Sequence, residues 1–250
     1  MGVLSEALSA LRRNAAAVLI YVVLSGGVNA ARRACDYVVA SQALFVLDDY
    51  ALRGYQFIMD LGLGLGYAFA CVLAFTRMGR QIDRPLWKVP NDREAIRRFL
   101  LLWFLIGLCG ITILRVFERL VETDPGEGTL ALMQTFYFLT FVLSIPVGAC
   151  IMFPGRLDWR EVAADLAPLL RQFARTLIII SINFLLFIFH LLLLQFFYFH
   201  PQARSDFWLL TITDIPFALV DCLVFAATWM LCITDRRQQE ERNRTSGFDL

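Results

Sequence analysis

The chain has 250 residues, of which 58% are apolar, and its mean hydropathy is +0.62. Soluble globular domains contain about 45–50% apolar residues. The excess here lies in runs of about 20 residues, the length at which a helix crosses a bilayer core of about 30 Å, and this excludes an ordinary soluble domain. The 23 basic and 22 acidic residues nearly balance, so the net charge gives no sign of nucleic-acid binding.

The apolar runs predict an all-α integral membrane protein, a bundle of about six transmembrane helices with short interfacial helices in its loops. We expect a single transmembrane domain at 1–234 and a polar cytoplasmic tail at 235–250. Gly26 and Gly27 interrupt the first span, and the segment at 34–52 is too polar to span, which favours a short helix at the outer interface. The spans are predicted at about 14–31, 55–76, 99–116, 130–153, 176–199 and 210–233.

The distribution of basic residues predicts the orientation. Most of them fall near the N-terminus, in the loops at 77–98 and 156–175, and in the tail, all on one side of the predicted bundle. Because cytoplasmic loops carry the excess of Arg and Lys, both termini are expected in the cytoplasm. Every basic residue except Lys88 is Arg, a bias that we interpret as bacterial, and we therefore expect the bacterial inner membrane.

Two of the predicted cytoplasmic segments carry helix-capping signals. In "NDRE", Asn91 and Glu94 predict the start of a helix that continues into the third span. In "DWRE", Asp158 and Glu161 predict a second helix, through about 174, that lies in the inner interface. Its apolar face consists of Val162, Leu166, Leu169 and Phe173.

The stretch "DLGLGLGYAF" contains three glycines, but their spacing departs from the dinucleotide-binding fingerprint G-x-G-x-x-G, and the stretch lies in a predicted span. Gly62 and Gly66 instead form a small-xxx-small pair that lets helix backbones approach closely, with Gly64 on the opposite side. Gly107 and Gly110 in the third span predict the same kind of helix packing. A kinked or pore-lining second span is the alternative interpretation.

An ion pair is predicted inside the membrane between the second and third spans. Asp60 and Arg115 each lie about 16 residues above the cytoplasmic ends of their spans, which is roughly 24 Å at the helical rise. Adjacent antiparallel spans would bring them to one depth, and charged residues in spans usually pair. Glu118 is a nearby competitor for Arg115.

Polar residues recur every seven positions on the fifth and sixth spans, so each set shares one helix face. Their matching depths predict that the two faces meet, with His190 contacting Asp221 near the midplane. We interpret this candidate intramembrane polar site either as a proton- or ligand-responsive pair or as hydrogen bonds that only hold the helices together. The sets are Thr176, Asn183 and His190 on the fifth span, and Asp214, Asp221 and Thr228 on the sixth.

The basic loop at 77–98 offers a candidate contact for anionic lipid headgroups through Arg84, Trp87 and Lys88. The ordinary excess of cytoplasmic basic residues explains the same composition.

The sequence carries no recognisable catalytic or cofactor motif. The six cysteines are far apart without a C-x-x-C pattern, which predicts buried thiols rather than disulfides or a zinc site. No H-E-x-x-H, Walker A or G-x-S-x-G sequence occurs. We therefore expect no metal, no cofactor and no catalytic residue.

The opening "LSEALSALRRNAAAVLIYVVL" and the junction "GRLDWREVAADLAPLLRQFARTLIIISINFLL" resemble the YciC-like, uncharacterised bacterial inner-membrane proteins. The resemblance covers most of the chain in architecture. It implies a six-span helical protein and brings no catalytic residues with it.

Three functions follow from these features. The first is a non-enzymatic scaffold or accessory subunit, packed through its glycine-bearing faces against other membrane subunits or a second copy. The second is a small-solute or proton-linked transporter or channel that uses His190 and Asp221. The third is an enzyme acting on lipid, which needs a polar cluster at headgroup depth that the sequence does not offer. The expected partners are the lipid bilayer and other membrane subunits, with no nucleic acid.

Overall fold

The structure, a computed structural model, describes residues 2–40, 49–84, 86–122, 127–199 and 207–246. In these ranges the chain forms nine helices and no strand. They are α1 (Gly2–Arg13), α2 (Ala15–Ala40), α3 (Asp49–Ile82), α4 (Asp92–Glu122), α5 (Glu127–Met152), α6 (Val162–Asp165), α7 (Ala167–Arg171), α8 (Phe173–Phe199) and α9 (Phe207–Ser246).

Several of these helices are long and apolar enough to cross a membrane. Four such segments are Ala15–Ala34 in α2, Gly54–Ile82 in α3, Asp92–Ile113 in α4 and Asp214–Thr245 in α9. A fifth candidate combines α6 and α7 with the start of α8, and its two parts meet at a bend of 93°. In α5 the described apolar segment is Phe138–Met152, which is shorter than the span predicted at 130–153. The chain is therefore an all-helical protein with the character of a membrane-spanning one.

The first two long helices extend beyond the spans that the sequence predicted. Helix α2 passes through Gly26 and Gly27 without a break and ends at Ala40, and α3 already begins at Asp49. The predicted interfacial helix over 34–52 is thus wrong at both of its ends, and residues 41–48 lie outside the described ranges. A formed helix gains one hydrogen bond for each residue added, so it continues past the apolar stretch into polar sequence.

Stacked aromatic rings form the core where α2, α3, α4 and α9 meet. The ring centroid of Phe75 lies 5.0 Å from that of Tyr21 and 4.2 Å from that of Phe225. The ring of Trp103 approaches Phe75 at 5.1 Å, and Trp229 packs on Phe225 at 5.3 Å. All five side chains are fully buried. Such ring pairs each add about 0.5–1.5 kcal/mol beyond their burial, so they favour one rotation of each helix about its axis.

Two glycines make room for the tryptophans of this core. A Cβ atom at Gly79 would lie 2.7 Å from the Trp229 ring, and one at Gly148 would overlap the Trp103 ring. The sequence analysis singled out neither glycine, because neither belongs to a repeated small-residue pattern. Their role depends on a ring from another helix and only becomes visible in the packing.

The glycine triplet of α3 packs differently from the prediction. A Cβ at Gly62 would meet open space, whereas one at Gly66 would lie 2.9 Å from Val28 of α2. A Cβ at Gly64 would lie 3.3 Å from Phe104 of α4. The expected shared packing role of Gly62 and Gly66 is therefore corrected: Gly66 and Gly64 contact two different neighbours, and Gly62 is exposed.

The two predicted helix starts have different outcomes. Asn91 accepts a hydrogen bond of 2.8 Å from the backbone N–H of Glu94 and so caps α4 as predicted. Asp158 instead accepts from the N–H of Arg160 at 3.0 Å, and the side chain of Glu161 pairs with Arg156. No side chain caps α6, which begins only at Val162.

The predicted helix through about 174 is divided into α6 and α7, which precede α8. Three residues of its predicted apolar face, Val162, Leu166 and Leu169, do pack against the core. The fourth, Phe173, is exposed. The chain turns sharply before α8, and this turn carries Phe173 away from the face that the helical period assigned to it.

Trp87 lies inside the protein, not at a lipid surface. Its side chain is 8% exposed, and its ring meets that of Trp229 edge-on at 5.3 Å. The guanidinium of Arg80 lies 5.8 Å from the centre of the same ring. The predicted headgroup contact is therefore corrected for Trp87, while Arg84 and Lys88 are exposed and their lipid binding stays a prediction.

Candidate functional site

A cavity of about 280 Å³ lies among α2, α3, α4, α5 and α9. Apolar side chains, including Val28, Leu63, Ile106 and Phe141, form part of its wall. The rest of the wall is polar, which is unusual for segments apolar enough to span a membrane. We call this space the polar cavity, and its polar lining residues are Asn29, Arg32, Asp60, Tyr67, Thr140, Ser144 and Asp221.

Glycines of α4 shape one wall of the polar cavity. Both Gly107 and Gly110 line it. A Cβ at Gly107 would lie 2.9 Å from the ring of Tyr67 and 3.7 Å from the carbonyl oxygen of Gly64, so α3 and α4 approach closely here. A Cβ at Gly110 would have ordinary contact with Thr140 at 3.9 Å. Gly107 therefore has the packing role that the sequence predicted, and it also leaves room for the Tyr67 ring.

The predicted pair of Asp60 and Arg115 is present at one end of the polar cavity. The two nitrogens Nε and Nη2 of Arg115 donate to the two carboxylate oxygens of Asp60 at 3.1 and 3.0 Å. This two-point contact between α3 and α4 is the geometry in which a guanidinium binds a carboxylate most strongly. Depth along adjacent antiparallel helices was sufficient to predict it.

Among the described side chains, the two aspartates on the polar face of α9 contact α2, where the prediction had them face α8. Asp214 accepts a hydrogen bond from Arg33, and Asp221 accepts one of 2.9 Å from the hydroxyl of Tyr21. Thr228, the third residue of this face, donates to the carbonyl of Val224 in its own helix at 2.8 Å. The predicted meeting of the two polar faces is therefore corrected for Asp214 and Thr228, whose described partners do not lie on α8.

The polar face of α8 also has other partners. The amide of Asn183 is buried and donates to the carbonyl of Val142 in α5 at 2.8 Å. Thr176 donates to the carbonyl of Leu169 in α7 at 2.7 Å. The side chain of His190 lies outside the described ones, so its predicted contact with Asp221 stays a prediction.

Tyr21 and Arg33, the partners of Asp221 and Asp214, were not predicted from the sequence. Tyr21 is a single hydroxyl in an apolar run, and Arg33 was assigned to a loop beyond the first span. The length of α2 is the feature that could have predicted them. Because α2 extends past Arg33, this residue lies about 18 Å above Tyr21 on the same helix at the helical rise. Asp214 and Asp221 occur on α9 in the reverse order, as antiparallel helices require.

Two carboxylates line the polar cavity, Asp60 and Asp221, and they differ from each other and from Asp214 of the same polar face in their charge partners. Asp60 is paired with Arg115, and Asp214 is paired with Arg33. Asp221 is hydrogen-bonded to a neutral hydroxyl, and no described side chain places a cation against it. A carboxylate removed from bulk water is unfavourable unless a cation, a proton or several hydrogen bonds compensate it. Among the described side chains, Asp221 is therefore the carboxylate without a cation partner.

At the opposite end of the bundle, ion pairs connect α3, α7 and α9. We call Asp83, Arg171, Asp235 and Arg236 the charged layer. Arg171 binds Asp235 through Nε and Nη2, the latter at 2.6 Å, and Arg236 reaches Asp83 at 3.5 Å. Burial raises the pKa of Asp83, and the nearby Arg236 and Arg237 act in the opposite direction.

Closely packed side chains separate the polar cavity from the charged layer. Asp221 and Asp235 lie about 21 Å apart along α9 at the helical rise. Between them the side chains at 224–229 are fully buried, and Trp229 and Phe225 belong to the aromatic core. The thiols of Cys150 and Cys232 lie 3.5 Å apart below this core. In the described part of the chain, no three His, Cys, Asp or Glu side chains are grouped to hold a metal ion.

No protein-family model matches the chain, and no curated protein or solved structure is similar to it.

Proposed function

We propose that the chain is a multi-span protein of the bacterial inner membrane that binds a small polar solute in the polar cavity and carries it across the bilayer. In this proposal six spans cross the membrane, both termini are cytoplasmic, and the fold is of the YciC-like kind. The charged layer then lies on the cytoplasmic side, where basic residues are expected. The cavity end at Asp60 faces the outer side.

One observation supports a binding function above a purely structural one. Polar groups that only hold helices together pack directly against each other, because protein interiors leave few voids larger than water. Here polar side chains from four helices surround a space of about 280 Å³ instead. Space with convergent polar groups inside an otherwise apolar bundle is typical of solute sites between helices.

The test measures solute binding and exchange by the full-length protein. Purified protein is screened for thermal stabilisation by small amines, carboxylates, amino acids and polyols, and stabilising solutes are then tested for exchange in proteoliposomes. Because a ligand at 100 times its Kd stabilises the folded state by about 2.7 kcal/mol, binding gives a clear shift of Tm. Ser144→Phe, which fills the cavity, should abolish the shift and the exchange. Leu139→Phe on the exposed face of the same helix is the matched control.

The proposal also predicts that water reaches the polar cavity. In a variant without the native cysteines, a water-soluble thiol reagent should modify Ser144→Cys but leave Leu139→Cys, which faces lipid, unmodified. A protein that no solute stabilises and whose cysteine at position 144 stays unmodified would contradict solute binding.

A second candidate function, an accessory subunit, is favoured by a groove between α2 and α3. The groove has a volume of about 400 Å³ and is lined by apolar and small residues, among them Gly27 and Gly62. Small residues at a lipid-facing groove let another transmembrane helix approach closely. A stoichiometric membrane partner that is lost with Gly62→Ile and kept with Leu65→Ile would support this function. An unchanged set of partners would count against it.

A further inference from the structure

We propose that the solute bound in the polar cavity is a small organic cation, and that Asp221 is the residue that binds its charge. This inference rests on the proposed function, since it names the chemical class of the solute. Three observations support the inference: Asp221 has no cation partner among the described side chains, it lies at one end of the cavity, and the cavity has the size and lining that suit an organic cation.

Of the two carboxylates that line the polar cavity, Asp60 and Asp221, one has no cation partner among the described side chains. Asp60 and Asp214 have guanidinium partners on α4 and α2. Among the described side chains, Asp221 contacts only the Tyr21 hydroxyl, through its Oδ2 atom, and its side chain also lines the cavity. The tyrosine fixes the carboxylate without neutralising it. A bound cation would supply the compensation that the described side chains do not.

The position of Asp221 separates it from the other charges of the cavity. Tyr21, which contacts Asp221, lies about 16 Å below Arg32 along α2 at the helical rise. On α3, Tyr67 lies about 10 Å below Asp60 by the same measure. The two ends of the cavity therefore differ: Asn29, Arg32 and the paired Asp60 lie at the upper end, and Asp221 lies at the lower end with Tyr67. An anion at the lower end of the cavity would lie close to the Asp221 carboxylate, which has no cation partner among the described side chains, so this end favours a cation.

The size and lining of the cavity favour an organic cation above a metal ion. A volume of about 280 Å³ holds about nine water molecules at about 30 Å³ each, which is much more than one bare ion needs. A hard metal ion prefers six or more oxygen ligands, and one carboxylate does not provide them. The aromatic rings of Tyr67 and Phe141 and the side chain of Leu63 line the same space. Aromatic faces attract organic ammonium groups, and the apolar wall fits their hydrocarbon part.

The experiment compares cations with neutral and anionic molecules of similar size. Purified full-length protein is titrated with choline, ethylammonium and guanidinium at constant ionic strength, and Tm is followed by tryptophan fluorescence. The neutral isostere of choline, 3,3-dimethyl-1-butanol, and the anion propionate are the matched probes. At least one cation should raise Tm saturably, and neither matched probe should do so.

Three variants test whether Asp221 is the carboxylate that binds the charge of the cation. Asp221→Asn should weaken cation binding by about 30-fold or more, because the bound cation then loses its carboxylate partner. Tyr21→Phe keeps the carboxylate and should weaken binding by much less, while Asp158→Asn in the exposed loop should leave it unchanged. If Asp221→Asn does not fold, Asp221→Glu keeps the charge at a shifted position, and a changed order of affinity among the three cations is then expected.

The possible failures are distinguishable. If propionate or the neutral isostere stabilises the protein and no cation does, the cavity binds a solute and the inference about its charge is wrong. If none of the three cations binds while Ser144→Cys is modified from water, Asp221 holds a proton only, and this inference is again overturned. If no solute binds and the cavity excludes the thiol reagent, the proposed function fails together with it.

Discussion

The hydroxyl of Tyr21 donates a hydrogen bond of 2.9 Å to Asp221, although 200 positions separate the two residues in the sequence. This contact connects the first long helix with the last one beside the polar cavity. It also continues into the aromatic core, because the Tyr21 ring stacks on Phe75. The residue that orients the cavity carboxylate is thus itself held by the packing of the bundle.

We expect Tyr21→Phe to reduce stability only modestly, because the ring and its stacking on Phe75 remain. Hydrogen bonds between membrane helices contribute about 0.6 kcal/mol on average and at most about 1.7 kcal/mol. A double-mutant cycle with Asp221→Ala, which removes the acceptor, measured by thermal or denaturant unfolding in detergent, should give a coupling energy in this range. Additive effects of the two changes would mean that the contact does not contribute to stability.

Arg115→Leu should be tolerated better together with Asp60→Leu than alone. The single change leaves a carboxylate without its cation, a loss of up to about 3–5 kcal/mol for a fully buried pair. The effect here should be smaller, because the side chain of Arg115 is 29% exposed. The measurement is the yield and Tm of the single and double variants. Simple addition of the two losses would contradict a stabilising pair.

The two kinds of glycine on α3 should respond differently to alanine. Gly79→Ala places a methyl group 2.7 Å from the Trp229 ring and should destabilise the protein by about 1–3 kcal/mol through overpacking. Gly62→Ala meets open space and should be neutral or stabilise the helix by about 0.5–1 kcal/mol. The measurement is the Tm of each variant relative to the unmodified protein. Equal Tm values for the two variants would argue against the close contact at Gly79.

Arg236→Gln should destabilise the charged layer in a pH-dependent way. Asp83 is 4% exposed, and removal of its cation leaves a buried acceptor with less compensation, a loss of about 1–3 kcal/mol at neutral pH. Burial raises the folded-state pKa of Asp83 above that of the unfolded chain. The folded protein therefore binds a proton more strongly than the unfolded chain, and the stability deficit should shrink as the pH falls through that raised pKa.

The matched control for this prediction is Asp83→Asn combined with Arg236→Gln. This double variant has no carboxyl at position 83, so that site contributes no recovery on acidification. Unfolding measured at neutral and at acidic pH for both proteins isolates the contribution of Asp83. A deficit that stays constant in Arg236→Gln across the two conditions would show that Asp83 does not carry the effect.

The sequence by itself determined that the chain forms long apolar helices, and it also determined one contact inside the bundle. Twenty apolar residues in a row can satisfy their backbone hydrogen bonds in a bilayer only as a helix or in a closed barrel, so the hydropathy runs predict the helices directly. Depth along neighbouring helices was enough for Asp60 and Arg115, since chain order makes their helices adjacent. The cap at Asn91 was readable because it depends on residues three positions apart.

The tertiary structure alone decided which neighbour each helix face meets. A seven-residue period shows that Asp214 and Asp221 share a face, but it does not show whether that face turns towards α8 or α2. For the same reason the sequence predicted close packing at Gly62, whereas the structure has it at Gly64 and Gly66. The rotation of each helix is set by large rings from distant segments, such as those of Phe75, Phe225 and Trp229. The polar cavity arises from this packing, because it is the space that remains after the aromatic core has formed.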